Sequence, residues 1–91
     1  MIKANNVISD RGNPITNQII ITDTKKETET FQSYNSIIAF IDNNGKVFLD
    51  EYYWDYSTTT GKYRNMFLGN WGIDEAREKI KSGEYKLKNL N

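Results

Sequence analysis

The sequence contains no cysteine and no histidine among its 91 residues. Without cysteine, the chain can form neither disulfide bonds nor thiolate zinc sites. Without histidine, it lacks the commonest general base and the commonest metal ligand in proteins. These two absences remove most of the usual catalytic inventory. The sequence therefore predicts a non-enzymatic protein that carries no cofactor and no metal.

Long apolar runs and a strong net charge are missing as well. No apolar stretch approaches the roughly 18 residues of a membrane span, and the N-terminal segment MIKANNVISD lacks the apolar centre of a signal peptide. The formal net charge is zero, and residues 62–91 hold seven basic and four acidic groups. That surplus is too small to indicate a nucleic-acid footprint. We therefore expect a single compact domain, residues 1–91, that works in the cytoplasm and contacts no membrane.

Alternating patterns and turn residues predict an α+β fold with a small antiparallel sheet of about four strands. Segment 36–42 is apolar on both faces, so we expect it at the centre of the sheet. Segment 28–34 alternates polar residues with few apolar ones, which favours an edge strand with one wet face. The other two strands are expected at residues 18–22 and 46–50, and residues 11–17 are expected to form a loop.

A hairpin over residues 36–50 is the clearest prediction. Asn44 and Gly45 lie between its two strands, and this dipeptide favours a type I′ turn, because both residues tolerate positive φ. Further along the chain, residues 84–90 alternate again. They predict an additional last strand with Tyr85 and Leu87 pointing inward.

Two helices are expected after the hairpin, at residues 58–68 and 74–82. The hydroxyl of Ser57 is expected to cap the first helix, and Gly69 to end it. Asp74 is expected to cap the second helix, which is short and lies on the surface. One apolar face of the first helix packs on the sheet. The predicted core residues are Ile38, Phe40, Val47, Leu49, Tyr63 and Phe67.

A run of four hydroxyl residues, 57–60, precedes most of the first helix, and Lys62 and Arg64 follow the run. Free N–H groups at a helix N-terminus, together with nearby cations, can hold a phosphate. Such a run is also how helices ordinarily begin, because a hydroxyl at the N-cap accepts a hydrogen bond from a free N–H group. Capping is the favoured interpretation, and an anion site is the alternative.

Asp50, Glu51 and Asp55 form a small acidic cluster. Paired carboxylates can catalyse glycoside hydrolysis, and several carboxylate oxygens can bind a divalent cation. A strand end and a helix cap explain Asp50 and Asp55 more simply. A small hydrolase is therefore the least favoured function.

Aromatic residues are concentrated between positions 51 and 71. Tyr and Trp combine a large contact area with a polar tip, which suits binding hot spots, and they can also stack on unpaired bases. The simpler alternative is that these rings only build the core. Tyr53 and Trp54 are adjacent, so in an extended segment their side chains point to opposite faces. We expect Tyr53 to be exposed and Trp54 to pack beneath the first helix.

Two segments together form a specific pattern. The first, SYNSIIAFI (33–41), gives an S-Y-x-x-x-I-A strand, and the second, WDYSTTTGKYRNMFLG (54–69), gives an aromatic-D-Y-S-x-T-T-x-K segment. In this pattern the chain resembles a group of short proteins encoded by phages and prophages of Firmicutes. The tail IKSGEYKLKNLN (80–91) is similar to theirs as well. The resemblance implies a phage or mobile-element origin. It implies no known activity, so it supplies no catalytic residues.

The leading hypothesis is a phage protein that binds and inhibits a host protein complex in the cytoplasm of the host bacterium. The sharpest form of this hypothesis is an anti-CRISPR protein that blocks a CRISPR effector nuclease. The expected partner-binding residues are Tyr52, Tyr53, Trp54, Tyr56, Lys62, Arg64 and Trp71. The alternative is a nucleic-acid-binding accessory protein. Its exposed aromatics would stack on bases, and its phosphate contacts would come from Lys62, Arg64, Lys79 and Lys81.

Overall fold

The computed structural model describes residues Met1 to Asn91 and contains one six-stranded sheet. The elements in chain order are β1 (Ile2–Ile8), β2 (Pro14–Asp23), β3 (Thr28–Ser33), β4 (Ser36–Ile41), β5 (Val47–Asp50), α1 (Thr58–Leu68), α2 (Ile73–Ser82) and β6 (Tyr85–Lys88). The strands lie in the sheet in the same order as in the chain. Neighbouring strands are antiparallel, except that β6 pairs with β5 in parallel after the two helices cross over.

The α+β class is confirmed, but the sheet is wider than predicted and it is mixed. The prediction missed β1, whose segment is largely exposed and forms a strand by pairing with β2. Strand β2 begins at Pro14, so part of the expected loop at residues 11–17 belongs to the sheet. Proline is tolerated at the first residue of a strand, where its missing N–H group is not needed.

Strand β3 lies inside the sheet, so its prediction as an edge strand is wrong. Alternation reports which faces of a strand are wet, and it carries no information about neighbours along the sheet. Strand β6 is confirmed and forms an edge. Its Tyr85 is buried, whereas Leu87 is 45% exposed, so the prediction that both point into the core is half wrong. Leu87 pairs with buried Leu49, but it has no neighbouring strand on its outer side.

A β-bulge decides which face of β4 is buried. The register shifts after Phe31, which pairs with Ala39, and the consecutive residues Ile38 and Ala39 are both buried. Phe40 therefore faces away from the helices and lies beside Phe48, with 6.4 Å between the ring centroids. Its prediction as a core residue is wrong, because the bulge changes the alternation of the strand.

The core lies between the sheet and the two helices. Ile38, Leu49 and Tyr63 are buried as predicted, and Val47 and Phe67 are partly buried against them. Phe31, on β3, is fully buried, and its ring stacks on Phe67 with a centroid separation of 5.8 Å. The complete buried cluster comprises Val7, Phe31, Ile38, Ala39, Leu49, Tyr63 and Tyr85.

The hairpin of β4 and β5 is confirmed, but its turn is not the predicted type. Gly45 has a φ of 79°, whereas Asn44 is not among the residues with positive φ, so the two-residue type I′ turn is absent. The connection is longer, because the Asp42 carboxylate accepts hydrogen bonds from the N–H groups of Asn44 and Lys46, both at 2.9 Å. The Asp42 side chain thus takes the place of a backbone carbonyl as the acceptor for these two N–H groups.

Both helices are confirmed, with one change at the start of α2. The N-cap of α2 is Gly72, and no side chain caps it. Asp74 lies in the first turn with its side chain 95% exposed, so its prediction as the cap is wrong. Glu75 reaches back instead, and its carboxylate accepts a hydrogen bond from the Trp71 N–H group at 2.7 Å. Neither helix is long and apolar enough to cross a membrane.

Asp50 ends β5, and its buried carboxylate binds three backbone groups. One oxygen accepts from the N–H groups of Tyr52 (3.0 Å) and Tyr53 (2.8 Å), and the other accepts from that of Leu90 (2.8 Å). Burial alone would raise the pKa of Asp50, but the hydrogen bonds from Leu90, Tyr53 and Tyr52 outweigh it and hold the pKa below its ordinary value. Asp50 is therefore a structural anchor for the following turn and the C-terminal tail.

Truncating Phe31 tests the position of the core. We expect Phe31→Ala to lower the free energy of unfolding by about 3–5 kcal/mol, because a fully buried aromatic side chain leaves a cavity. Phe40→Ala is the matched control and should cost clearly less, because Phe40 lies outside the core and keeps contact with water. Urea unfolding measures both variants. Equal losses would contradict the assignment of the two faces.

Replacing Asp50 tests the anchor. We expect Asp50→Asn to lower the free energy of unfolding by about 1–3 kcal/mol at neutral pH, because at least one buried N–H donor loses its acceptor. The folded pKa lies below the ordinary value of 3.8, so the carboxylate stabilises the fold fully above that pH and loses this effect as pH falls through the folded value.

The difference between wild type and Asp50→Asn should therefore narrow in acid, which urea unfolding at neutral pH and at about pH 3 measures. Glu51→Gln removes an adjacent exposed carboxylate and serves as the control, with little effect expected. A difference that stays constant with pH would show that the Asp50 charge is not what holds the turn.

Candidate functional site

One end of the sheet collects four tyrosines, Tyr34, Tyr52, Tyr53 and Tyr56, which we call the tyrosine end. Strands β3 and β5 run in the same direction, so the β3–β4 turn and the connection after β5 lie at the same end of the sheet. The segment after Asp50 turns instead of extending. The Trp54 N–H group donates to the Asp50 carbonyl at 3.0 Å, and the Tyr56 N–H group donates to the Tyr53 carbonyl at 3.2 Å.

This turn decides which aromatic rings face water. Tyr52 is 74% exposed and Tyr56 is 66% exposed, whereas Tyr53 and Trp54 are partly buried against the core. The prediction that Tyr53 is the exposed ring is wrong, because it assumed an extended segment. The Tyr53 ring instead supports its neighbours, with edge-to-face contacts to Tyr52 at 4.7 Å and to Tyr56 at 5.5 Å between centroids.

Tyr34 belongs to this end and was missed by the sequence reasoning. It is 55% exposed and has a φ of 55°, in the left-handed region that a bulky residue rarely adopts. Its N–H group donates to the carbonyl of Asn17 at 2.7 Å. The available signal was the very short connection between the strands expected at residues 28–34 and 36–42, because turns that short require positive φ.

A cleft of about 290 Å³ separates Tyr34 from Tyr56. Its buried floor includes Ser33 and Thr60, whose hydroxyl oxygens lie 3.0 Å apart. The Ser57 hydroxyl donates to the Thr60 hydroxyl at 3.1 Å and accepts from the Thr60 N–H group at 3.1 Å. The capping interpretation of the hydroxyl run is therefore confirmed. The cleft is lined by Ser33, Tyr34, Asn35, Ser36, Ile38, Tyr53, Tyr56 and Thr60.

A second depression, of about 580 Å³, lies between α1 and α2, and we call it the arginine cavity. It is lined by Asp55, Ser57, Thr58, Gly61, Lys62, Arg64, Asn65, Ile73 and Arg77. Gly61 lies against the Arg64 guanidinium, since an added Cβ there would stand 3.6 Å from its two terminal nitrogens. The backbone of α1 at Gly61 therefore lies close to a buried cation, and a Cβ there would make only an ordinary van der Waals contact.

Arg64 is fully buried, although the sequence reasoning placed it among the partner-binding residues. Its guanidinium donates to the Trp54 carbonyl at 2.6 Å and to the Asn65 side-chain oxygen at 3.1 Å, and it lies 5.3 Å from the Trp54 ring centroid. Burial lowers the pKa of Arg64, and the Asp55 carboxylate opposes part of this effect. The Nε atom is buried and has no hydrogen-bond partner.

Asp55 lies between two arginines. Its carboxylate is 3.7 Å from the Arg64 guanidinium and 3.9 Å from that of Arg77. Asp50 is committed to backbone donors at the other end of the same segment. No group of three or more carboxylates lies close enough to hold a metal ion.

The remaining predicted site residues are scattered. Trp71, between the two helices, is 98% exposed. Lys62 is exposed, with its ammonium 5.4 Å from the centroid of the Tyr63 ring. Lys79 forms ion pairs with Glu75 and Glu84, each at 3.5 Å. The structure thus groups the tyrosines, places Lys62 and Arg64 at a different site, and leaves Trp71 outside the lining of both depressions.

The chain belongs to DUF8033, a family of unknown function whose model matches residues 2–85. No curated protein and no solved structure matches the chain at a significant level. The matched residues run from the start of β1 to the start of β6, so they include both the tyrosine end and the arginine cavity.

Removing the cap tests the role of the hydroxyl run. We expect Ser57→Ala to lower the free energy of unfolding by about 0.5–2 kcal/mol, because the Thr60 N–H group loses its acceptor. Thr59→Ala removes an exposed hydroxyl from the same run and should change stability by less than about 0.5 kcal/mol. Thermal and urea unfolding measure both. Equal effects would mean that Ser57 does not cap the helix.

Proposed function

We propose that this chain is a non-enzymatic binding protein that engages a partner protein through the tyrosine end. The observation that carries this proposal is that Tyr34, Tyr52 and Tyr56 are each more than half exposed and surround one end of the sheet. Tyrosine supplies a large contact area and a hydrogen-bonding tip at a low entropic cost, and it is enriched among binding hot spots.

Two of the exposed rings, those of Tyr52 and Tyr56, are held in place before any partner arrives. Tyr53 packs on the core and makes edge-to-face contacts with both Tyr52 and Tyr56. The backbone beneath them is fixed by the Asp50 carboxylate. Side chains that are already ordered lose less entropy on association, so more of their contact energy contributes to affinity.

We propose that the partner is a host protein complex in the cytoplasm of a bacterium. This chain, of phage or mobile-element origin, would inhibit that complex. Its sharpest form is a CRISPR effector nuclease. The support is the resemblance of segments 33–41 and 54–69 to proteins of Firmicute phages and prophages. The first segment contributes Tyr34 and the second contributes Tyr56, so both resembling segments meet at the tyrosine end.

The positions of the cations favour a protein partner over nucleic acid. Of the four cations in the nucleic-acid hypothesis, Arg64 is buried and Lys79 is paired with two glutamates. Lys62 and Lys81 remain exposed. A backbone-binding groove would need more free cations along one surface. The hydrolase hypothesis has less support still, because hydrogen bonds from backbone N–H groups occupy both oxygens of Asp50.

Truncating the exposed rings tests the proposal. We expect Tyr52→Ala and Tyr56→Ala each to weaken partner binding by at least about 1 kcal/mol, with little change in melting temperature. Ile2→Ala is the matched control, because Ile2 is 68% exposed at the opposite end of the sheet. The measurements are inhibition of purified CRISPR effector nucleases, and calorimetry with any complex captured from a low-GC Firmicute lysate.

Retained binding in both tyrosine variants would contradict the tyrosine end as the interface. A titration with single-stranded DNA distinguishes the nucleic-acid-binding alternative from a protein partner. Affinity that falls steeply with salt would favour nucleic acid, because phosphate contacts release counterions. We expect no such binding.

A further inference from the structure

The arginine cavity contains more positive than negative charge. Lys62, Arg64 and Arg77 line it together with a single carboxylate, that of Asp55. Apart from Ile73, the lining is polar or glycine. At neutral pH this set leaves two positive charges without a counter-charge in the lining. A cavity with this excess attracts anions, because low-dielectric walls strengthen the local field.

Arg64 shows that the charge is incompletely compensated. Its distance of 3.7 Å to Asp55 exceeds the roughly 2.7–2.9 Å of a charge-assisted hydrogen bond. The same carboxylate also faces Arg77 at 3.9 Å, and Arg77 has a second loosely placed partner outside the lining, the exposed Asp74 carboxylate at 4.0 Å. The Nε–H group of Arg64 is buried and donates to no acceptor. A buried cation is costly without full pairing, so an anion in the adjoining cavity would stabilise Arg64 through the local field, without contact to its buried Nε–H group.

The start of α1 adds to the same field. Ser57 and Thr58 line the cavity, and the first turn of α1 contains no acidic residue. The Ser57 hydroxyl accepts from the Thr60 N–H group, whereas the N–H groups of the two preceding helical residues have no partner within the helix. The positive end of the helix dipole therefore points toward a cavity that is already cationic.

We infer that the arginine cavity binds a small phosphate monoester, with the phosphate between Lys62, Arg77 and the first turn of α1. A phosphate monoester carries a charge of about −1.5 to −2 at neutral pH, which matches the excess of the cavity better than a single carboxylate does. The volume of about 580 Å³ lies within the range of small-molecule sites and leaves room for the organic part of the ester. Ile73 offers that part its apolar contact.

Titration calorimetry at constant ionic strength tests the inference, with phenyl phosphate, inorganic phosphate and acetate as probes. We expect phenyl phosphate to bind most tightly and acetate to show no saturable binding. Lys62→Ala and Arg77→Ala should each weaken phenyl phosphate binding by at least about tenfold, because each removes a charge-assisted contact. Both side chains are exposed, so the variants should fold, and unchanged melting temperatures verify this.

Lys81→Ala is the matched control. It removes one positive charge from α2, but Lys81 does not line the cavity. The affinity for phenyl phosphate should therefore fall by less than about threefold, because salt screens distant charges. Asp55→Asn should tighten binding, because it removes the carboxylate that competes for both guanidinium groups. In NMR spectra, the Nε–H resonance of Arg64 should shift on titration, which reports on the buried cation without a mutation.

Equal weakening by Lys62→Ala and Lys81→Ala would show that binding follows net charge, and this would overturn the inference. Absence of saturable binding to either phosphate probe would overturn it as well. The inference does not rest on the proposed protein partner. Tyr52→Ala should leave phenyl phosphate affinity unchanged, because Tyr52 does not line the cavity, so the two proposals can fail separately.

Discussion

The carboxylate of Asp50 joins the end of β5, the turn that follows it and the C-terminal tail. Buried carboxylates are stable only when their oxygens accept hydrogen bonds, and here three backbone N–H groups supply them. The tail that Asp50 holds through Leu90 returns to the sheet, where Asn91 exchanges hydrogen bonds with the backbone of Ile37. One side chain thus connects segments that lie forty residues apart.

The turn fixed by Asp50 also positions α1. Its Trp54 carbonyl accepts the shortest hydrogen bond made by Arg64, and the Trp54 ring lies over the guanidinium. The guanidinium of Arg64 is buried, and the Trp54 carbonyl oxygen and the Asn65 side-chain oxygen accept hydrogen bonds from it. These bonds offset part of the cost of burying a cation. Gly61 lies against that guanidinium, at a distance where a Cβ would make an ordinary van der Waals contact.

The segment between β5 and α1 contributes to both candidate sites, and the two sites differ in chemistry. Tyr52, Tyr53 and Tyr56 belong to the tyrosine end, whereas Asp55 faces the cations of the arginine cavity. The tight turn directs neighbouring side chains to different sides. The aromatic surface suits a protein partner, because its contact area is large and pre-ordered. The polar cavity suits a small anion, because its charge is uncompensated.

Local patterns along the chain were sufficient for several elements. They identified the β4–β5 hairpin, both helices, the Ser57 cap and the concentration of aromatics after β5. These features depend on neighbours within a few residues, on apolar periodicity or on capping chemistry. The position of Asp50 at a strand end was predicted, whereas the prediction of Asp55 as a helix cap is wrong, because Ser57 caps α1 and Asp55 faces two arginines. The long-range contact of Asp50 was not predictable. Asp50 acts on Leu90, which is distant in sequence.

By itself, the sequence determined the α+β class, the positions of the helices and the lack of cysteine and histidine chemistry. The tertiary structure decided the width of the sheet, since β1 forms only by pairing with β2. It also decided that Tyr52, Tyr56 and Tyr34 are exposed while Tyr53 packs inward. The reason is physical: strand pairing, a bulge and a buried carboxylate join residues far apart in the chain, and local periodicity cannot report such contacts.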